Sequence, residues 1–224
     1  MMESMAQFGG LKIGYNAHFT RPDGLNQIVE VYNETYDLTT EMKPFTNMDG
    51  LTYGFMVAFA PMVFDVGYNH RSQNRFALGT INGQPAERRL RAVINSGHLG
   101  MSIALASDDG FFLTLGGRLN VGNMRVRTKV GLEDDIREQE WDNLYNELYM
   151  DLDVSLRFAL PFLSIEPFYV ISADQLYGPS SPITFSNLAP VNESLNNVPS
   201  PELLPLMNNG FGVRIEILIL TMLD

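Results

Sequence analysis

The 224-residue chain has a net charge of −11, no cysteine, 45% hydrophobic residues and a mean hydropathy of −0.04. The acidity excludes nucleic acid as a partner, whose phosphates demand cations, and the hydropathy excludes a disordered chain. Only three of the fifteen cationic residues are Lys (Lys12, Lys43, Lys129), whereas a water-exposed sheet face ordinarily carries many. One domain over residues 1–224 is expected. The uncharged run from Leu51 to Phe64 is too short for the roughly 20 residues of a transmembrane helix, and Pro61 interrupts it. Met1–Phe8 has no apolar core of a signal peptide; if the chain is exported, the signal is already removed, with Ala6-Gln7 the expected junction.

Period-two alternation recurs eight times along the chain. The first strand sets Leu11, Ile13, Tyr15, Ala17 and Phe19 against Lys12, Gly14, Asn16, His18 and Thr20. The next three carry Leu51 to Phe59, Met62 to Tyr68 and Leu99 to Leu105 on their apolar parity. The fifth sets Phe111, Leu113, Leu115, Leu119 and Val121 against Thr114, Gly116, Arg118 and Asn120. The sixth sets Leu148 to Phe158 against Tyr149, Asp151, Asp153, Ser155 and Arg157. The seventh sets Leu163, Ile165, Pro167, Tyr169 and Ile171 against Ser164, Glu166, Phe168 and Val170, and the eighth sets Phe211 to Ile219 against Gly212, Arg214 and Glu216. Each run approaches the 9–11 residues of a strand crossing a bilayer at a tilt. Short connections fall at Pro61-Met62, Ser107–Gly110 and Pro161-Phe162. Long ones are expected at 21–49, 72–90, 128–143 and 173–209, the last holding Leu203, Leu204, Leu206 and Met207. Tight turns on one rim and long loops on the other predict an all-β, eight-stranded antiparallel transmembrane up-and-down barrel, with short periplasmic turns, long extracellular loops and periplasmic termini.

Alternation alone does not say which face is inside, but the content of the faces does. The polar parity is rich in Gly14, Gly54, Gly67, Gly100, Gly116 and Gly212, as a narrow eight-stranded lumen requires. The apolar parity is bulky and aromatic, with Tyr15, Phe19, Tyr53, Tyr68, Phe111 and Tyr169 toward strand ends as in interfacial girdles. The polar parity also carries five cations (Lys12, Arg71, Arg118, Arg157, Arg214) and five anions (Asp65, Asp151, Asp153, Glu166, Glu216). Charges enclosed in a lumen must be paired, so an interior salt-bridge network is expected and the excess negative charge is assigned to loops and ends. The turn at Pro161-Phe162 sets Arg157 opposite Glu166, and counting from Gly110 sets Arg118 beside Asp153.

In this pattern the chain resembles the small outer-membrane barrels of the OmpA/OmpX type. The strand Leu163-Ser164-Ile165-Glu166-Pro167-Phe168-Tyr169 is similar to strands of the broad outer-membrane barrel family of Bacteroidota. The resemblance implies a fold and a location in the bacterial outer membrane, not an activity. The chain departs from the family in ending Ile219-Leu220-Thr221-Met222-Leu223-Asp224, without a terminal aromatic.

Other features are weaker. His18, His70 and His98 lie on three strands without metal-ligand spacing, and no metal or cofactor is expected. His70-Arg71-Ser72 matches the His-x-Ser of barrel lipid A deacylases, but no acid is identifiable beside it, so no catalytic residue is assigned. Leu25, Ile28, Val29, Tyr32 and Tyr36 form a helical stripe in the first long connection, either lying on the barrel's own loops or docking a partner. The acidic run Glu133 to Asp142 matches no EF-hand spacing. The expectation is a non-enzymatic structural or accessory subunit of a cell-envelope assembly. Its expected partners are outer-membrane lipid and other outer-membrane or surface proteins. A small passive pore and a lipid A-modifying enzyme are the alternatives.

Overall fold

The computed structural model describes residues 8–59, 61–108, 111–173 and 209–222. Ala6-Gln7 and most of the fourth long connection, with Leu203, Leu204, Leu206 and Met207, lie outside them. Eight strands follow in chain order: β1 (Phe8–Phe19), β2 (Asn47–Phe59), β3 (Met62–Ile81), β4 (Gln84–Asp108), β5 (Phe111–Leu132), β6 (Asp142–Ala159), β7 (Leu163–Ser172) and β8 (Gly210–Met222), with one helix, α1 (Asp23–Thr35), between β1 and β2. Each strand pairs antiparallel with its neighbours and β8 closes on β1, so the sheet has no edge within the barrel. Phe8 lies opposite Met222, on the same rim as the Phe59–Met62 turn.

The facing of the strands is as the composition requires. Outward residues such as Leu11, Leu99, Leu148 and Ile217 are more than half exposed, while Lys12, Arg118, Arg214 and Glu216 are 2% exposed or less. Such a continuous apolar belt far exceeds the few hundred Å² that a soluble monomer leaves bare. With charges inside and hydrocarbon outside, the barrel is of the membrane-spanning, outer-membrane type. The upper edge of the belt carries aromatic neighbours: Tyr53 against Tyr68, ring centroids 5.4 Å apart, and Tyr169 against Phe211, 4.9 Å apart. Phe59, Phe158 and Phe162 stand exposed toward the short-turn rim.

Two of the expected long connections are not loops. Residues 72–90 continue β3 and β4 into a hairpin paired from Gln73↔Ala92 to Ile81↔Gln84. It turns at Asn82 (φ 51°) and Gly83 (φ 78°), the left-handed pair that a tight two-residue hairpin needs. Likewise β5 runs on to Leu132 and leaves only 133–141 as a connection to β6. β3, β4 and β5 are therefore 20, 25 and 22 residues long, against 12 for β1 and 10 for β7. One wall of the barrel rises well beyond the belt.

The apolar parity reverses where that wall leaves the belt. On β4, Leu99, Met101 and Ile103 face out, but Leu90, Ala92 and Ile94 are buried inward; on β5, Leu119 and Val121 face out, but Met124 and Val126 are buried. Below the reversal the outside solvent is apolar; above it the interior must be.

Candidate functional site

The interior has three tiers. At the short-turn rim Met56, Ala58, Val63, Ala159 and Leu218 form an apolar floor, with Phe8, Phe112 and Leu220 packed on it. In the middle lies the charged network, and above it an apolar cluster that includes α1.

The network uses all ten residues singled out from the sequence. Asp65 on β3 is a hub: it meets Lys12 at 3.3 Å, Arg118 at 3.2 Å, Arg157 at 2.6 Å and the Nε2 of His98 at 3.2 Å. Glu166 on β7 is a second, receiving Arg118 at 2.6 Å and Arg157 and Arg214 at 3.0 Å each. Glu216 takes Lys12 at 3.4 Å. Arg157 and Glu166 are thus the inward pair that the turn arithmetic predicts, since β6 and β7 pair as Ser155↔Phe168 and Phe158↔Ile165.

Arg118 and Asp153 are opposite in register, as counted, but they do not pair. Arg118 reaches past its neighbouring strands to Asp65 on β3 and Glu166 on β7, each two strands away, while Asp153 is bound by Arg214 and accepts from Asn120 at 3.0 Å. The lumen of an eight-stranded barrel is filled by side chains, so a long one can reach the second strand over as readily as the next. Gly100 makes this crossing possible: a Cβ there would lie 2.8 Å from both the Arg118 Cγ and an Asp65 oxygen. The space left among Asp65, Thr114, Ser155, Arg157 and Glu166 is too small for a water molecule.

Above this hub, Arg71 donates to Asp151 and to the Tyr149 hydroxyl, both at 3.1 Å, and lies 3.3 Å from the His18 Nδ1. Asn69 donates to Asn120 at 2.8 Å, and Asn120 in turn reaches Asp151. Arg214 lies over the Phe168 ring, 4.0 Å from its centroid. The polar parity places Tyr149, Asn120, His18 and His98 inside, but no spacing or pattern signals that they bridge the charged pairs.

The third tier corrects the docking expectation. Leu25, Ile28, Val29 and Tyr32 are 3% exposed or less, and Tyr36 packs at their edge. They bury the helix against Ala77, Leu90, Ala92, Ile94, Met124 and Val126 of the tall wall, so the stripe is spent inside the molecule and offers a partner nothing. Two asparagines lash the returning segment to the helix. Asn26 exchanges bonds with the Phe45 backbone at 3.0 and 2.6 Å, and Asn33 with the Met42 backbone at 2.9 Å each way. The spacing of seven between Asn26 and Asn33, two turns on one helix side, is the signal that could have revealed the clamp. Arg88 reaches in over the Tyr32 ring and donates to Thr128 at 2.8 Å.

His70 faces outward, its Nδ1 2.8 Å from the side-chain oxygen of Asn95, which also accepts from Tyr68 at 2.8 Å. Ser72 lies opposite Asp49 on β2 and makes no side-chain hydrogen bond to a described residue. Beside the mouth, a groove of about 620 Å³ opens between Phe19, Arg21, Phe45, Tyr169 and Phe211.

No protein-family model matches the chain, and no curated protein matches it. Among solved structures it is similar to Ail, the attachment invasion locus protein of Yersinia pestis, in complex with the heparin analogue sucrose octasulfate. That comparison has a TM-score of 0.46 and 11% identity over 97% of this chain and 100% of that one. A second structure of Ail gives a TM-score of 0.45 and 10% identity over the same shares.

Proposed function

We propose that this chain is a non-enzymatic, non-conducting barrel of the bacterial outer membrane that serves as a structural or accessory subunit of the cell envelope. In this reading the short-turn rim and both termini face the periplasm, and α1 with the tall β3–β5 wall faces outward. The observation that carries it is the filled interior: an apolar floor, a charged middle with no room for water in the space around Asp65, Arg157 and Glu166, and a helix packed over the mouth. A barrel filled in this way has no lumen in which to pass or hold a solute, so what it does must be done by its outer surface. The neutral Asn95 beside His70 supports the non-enzymatic part, because a Ser-His pair is ordinarily oriented by a carboxylate. Planar-bilayer recording of the purified protein tests the reading. We expect no steady conductance; a stable open channel would support a passive pore instead.

A further inference from the structure

Of the fifteen cationic side chains, five are in the lumen and seven are on the tall wall: Arg75, Arg88, Arg89, Arg91, Arg125, Arg127 and Lys129. Alternation divides these by face. Leu90, Ala92, Met124, Val126 and Thr128 are buried inward, which sends Arg89, Arg91, Arg125 and Arg127 outward; Lys129 shares their parity but is itself buried. The register stacks them: Arg89 opposite Lys129, Arg91 opposite Arg127, Val93 opposite Arg125.

Among the described residues, no carboxylate meets Arg91, Arg125 or Arg127. Glu87 is committed to Arg89, at 2.6 and 2.9 Å. Arg125 donates to the amide oxygen of Asn146 at 3.2 Å, a neutral partner. Lys129 donates to the Arg137 carbonyl at 3.4 Å and lies 5.2 Å from the Trp141 ring centroid. Arg91 and Arg127 make no hydrogen bond or ion pair with any described residue, although the Nε of each is shielded from solvent. Like charges directly opposite on neighbouring strands repel, and a shielded donor without a partner is costly. The pair persists in a chain of net charge −11, which points to an anion supplied from outside.

Its height identifies the anion. Arg125 is four residues beyond Val121, the last exposed apolar residue of β5. Four residues span ~13 Å along a strand, or about 10 Å above the belt at a tilt of ~40°. That is the outer edge of the polar headgroup layer; Arg127, opposite Arg91, stands about 5 Å higher, and long arginine side chains can turn down toward the layer. A guanidinium pairs with phosphate through two parallel bonds, a geometry that lysine cannot offer.

We propose that the outward face of β4 and β5 around Arg91, Arg125 and Arg127 binds phosphate groups of the outer-leaflet lipid. This rests on the outward orientation of the tall wall proposed above. The test uses the full-length protein in nanodiscs of phosphatidylcholine, with and without phosphatidic acid, bound lipid being counted by native mass spectrometry and followed by the fluorescence of Trp141, the one tryptophan of the chain. Arg91→Gln/Arg127→Gln is compared with Lys43→Gln/Arg137→Gln, which removes the same charge from exposed positions elsewhere. The first pair should hold phosphatidic acid about tenfold more weakly than the wild type, the second equally well. Equal retention by all three proteins would overturn the proposal. So would tighter binding of a soluble sulfated oligosaccharide than of phosphatidic acid, because the patch would then be a site for a surface polyanion. Failure of the wild type to enter nanodiscs would sink the membrane reading itself. Entry without preference for phosphatidic acid would sink this proposal alone.

Discussion

The lumen and the outer face of the tall wall treat arginine in opposite ways. Inside, Arg71, Arg118, Arg157 and Arg214 each meet at least one carboxylate, and the side chains involved are almost wholly buried. Outside, Arg91 and Arg127 stand across from each other with no described partner. The difference teaches where each charge finds its compensation. A guanidinium sealed in a barrel must bring its anion with it, because neither water nor ions can follow. One at the membrane surface can take its anion from the medium.

The largest effect should come from breaking the sealed side. Arg118→Ala removes a contact to Asp65 and one to Glu166, leaving carboxylates short of a buried partner. We expect it to cost about 3–5 kcal/mol in urea unfolding from vesicles. Arg91→Ala on the open side should stay within about 0.5 kcal/mol. Equal effects would erase the distinction between the two regions.

The cap comes next. Leu25→Ala deletes a side chain with no exposure and should cost about 2–5 kcal/mol. It should nevertheless leave the unboiled, faster-migrating gel form intact, since the barrel below does not depend on the helix. Loss of that form would show that α1 is part of the barrel's foundation and not a lid on it.

A smaller effect than either of these losses belongs to the hairpin tip. Gly83 has φ 78° with open space around its Cα, so Gly83→Ala meets only backbone strain, about 1–2 kcal/mol. In thermal unfolding it should loosen the tall wall without moving the melting of the belt. A shift of the main transition would mean that the wall and the barrel unfold as one unit.

The belt was legible in the sequence because lipid on one side and a crowded lumen on the other impose a strict two-residue period. Lys12, Asp65, Arg157 and Glu166 fell on the inward parity and were assigned to the interior together. Partner choice was less legible. Arg118 shares a register with Asp153, yet its side chain passes over Gly100 to Asp65, two strands away, and hairpin counting pairs only adjacent strands. The tall wall escapes the outward apolar pattern for a different reason. In Arg89-Leu90-Arg91-Ala92 and Arg125-Val126-Arg127 the alternation continues, but with the apolar residues turned inward and cations turned out. A search for outward apolar runs stops where the solvent outside changes from lipid to water. The stripe on α1 was read correctly as a helix and could not show by itself that the tall wall would cover it.

Because the chain contains no cysteine, single cysteines report solvent access without background, and they test the sealed lumen most directly. A Cys at Ser155, inward and buried, and one at Leu119, outward and exposed, are treated in vesicles with a membrane-impermeant and a lipid-soluble maleimide. The account predicts that Ser155→Cys reacts with neither reagent and Leu119→Cys only with the lipid-soluble one. Reaction of Ser155→Cys with the impermeant maleimide would mean that water reaches the charged tier, and would contradict the closed barrel.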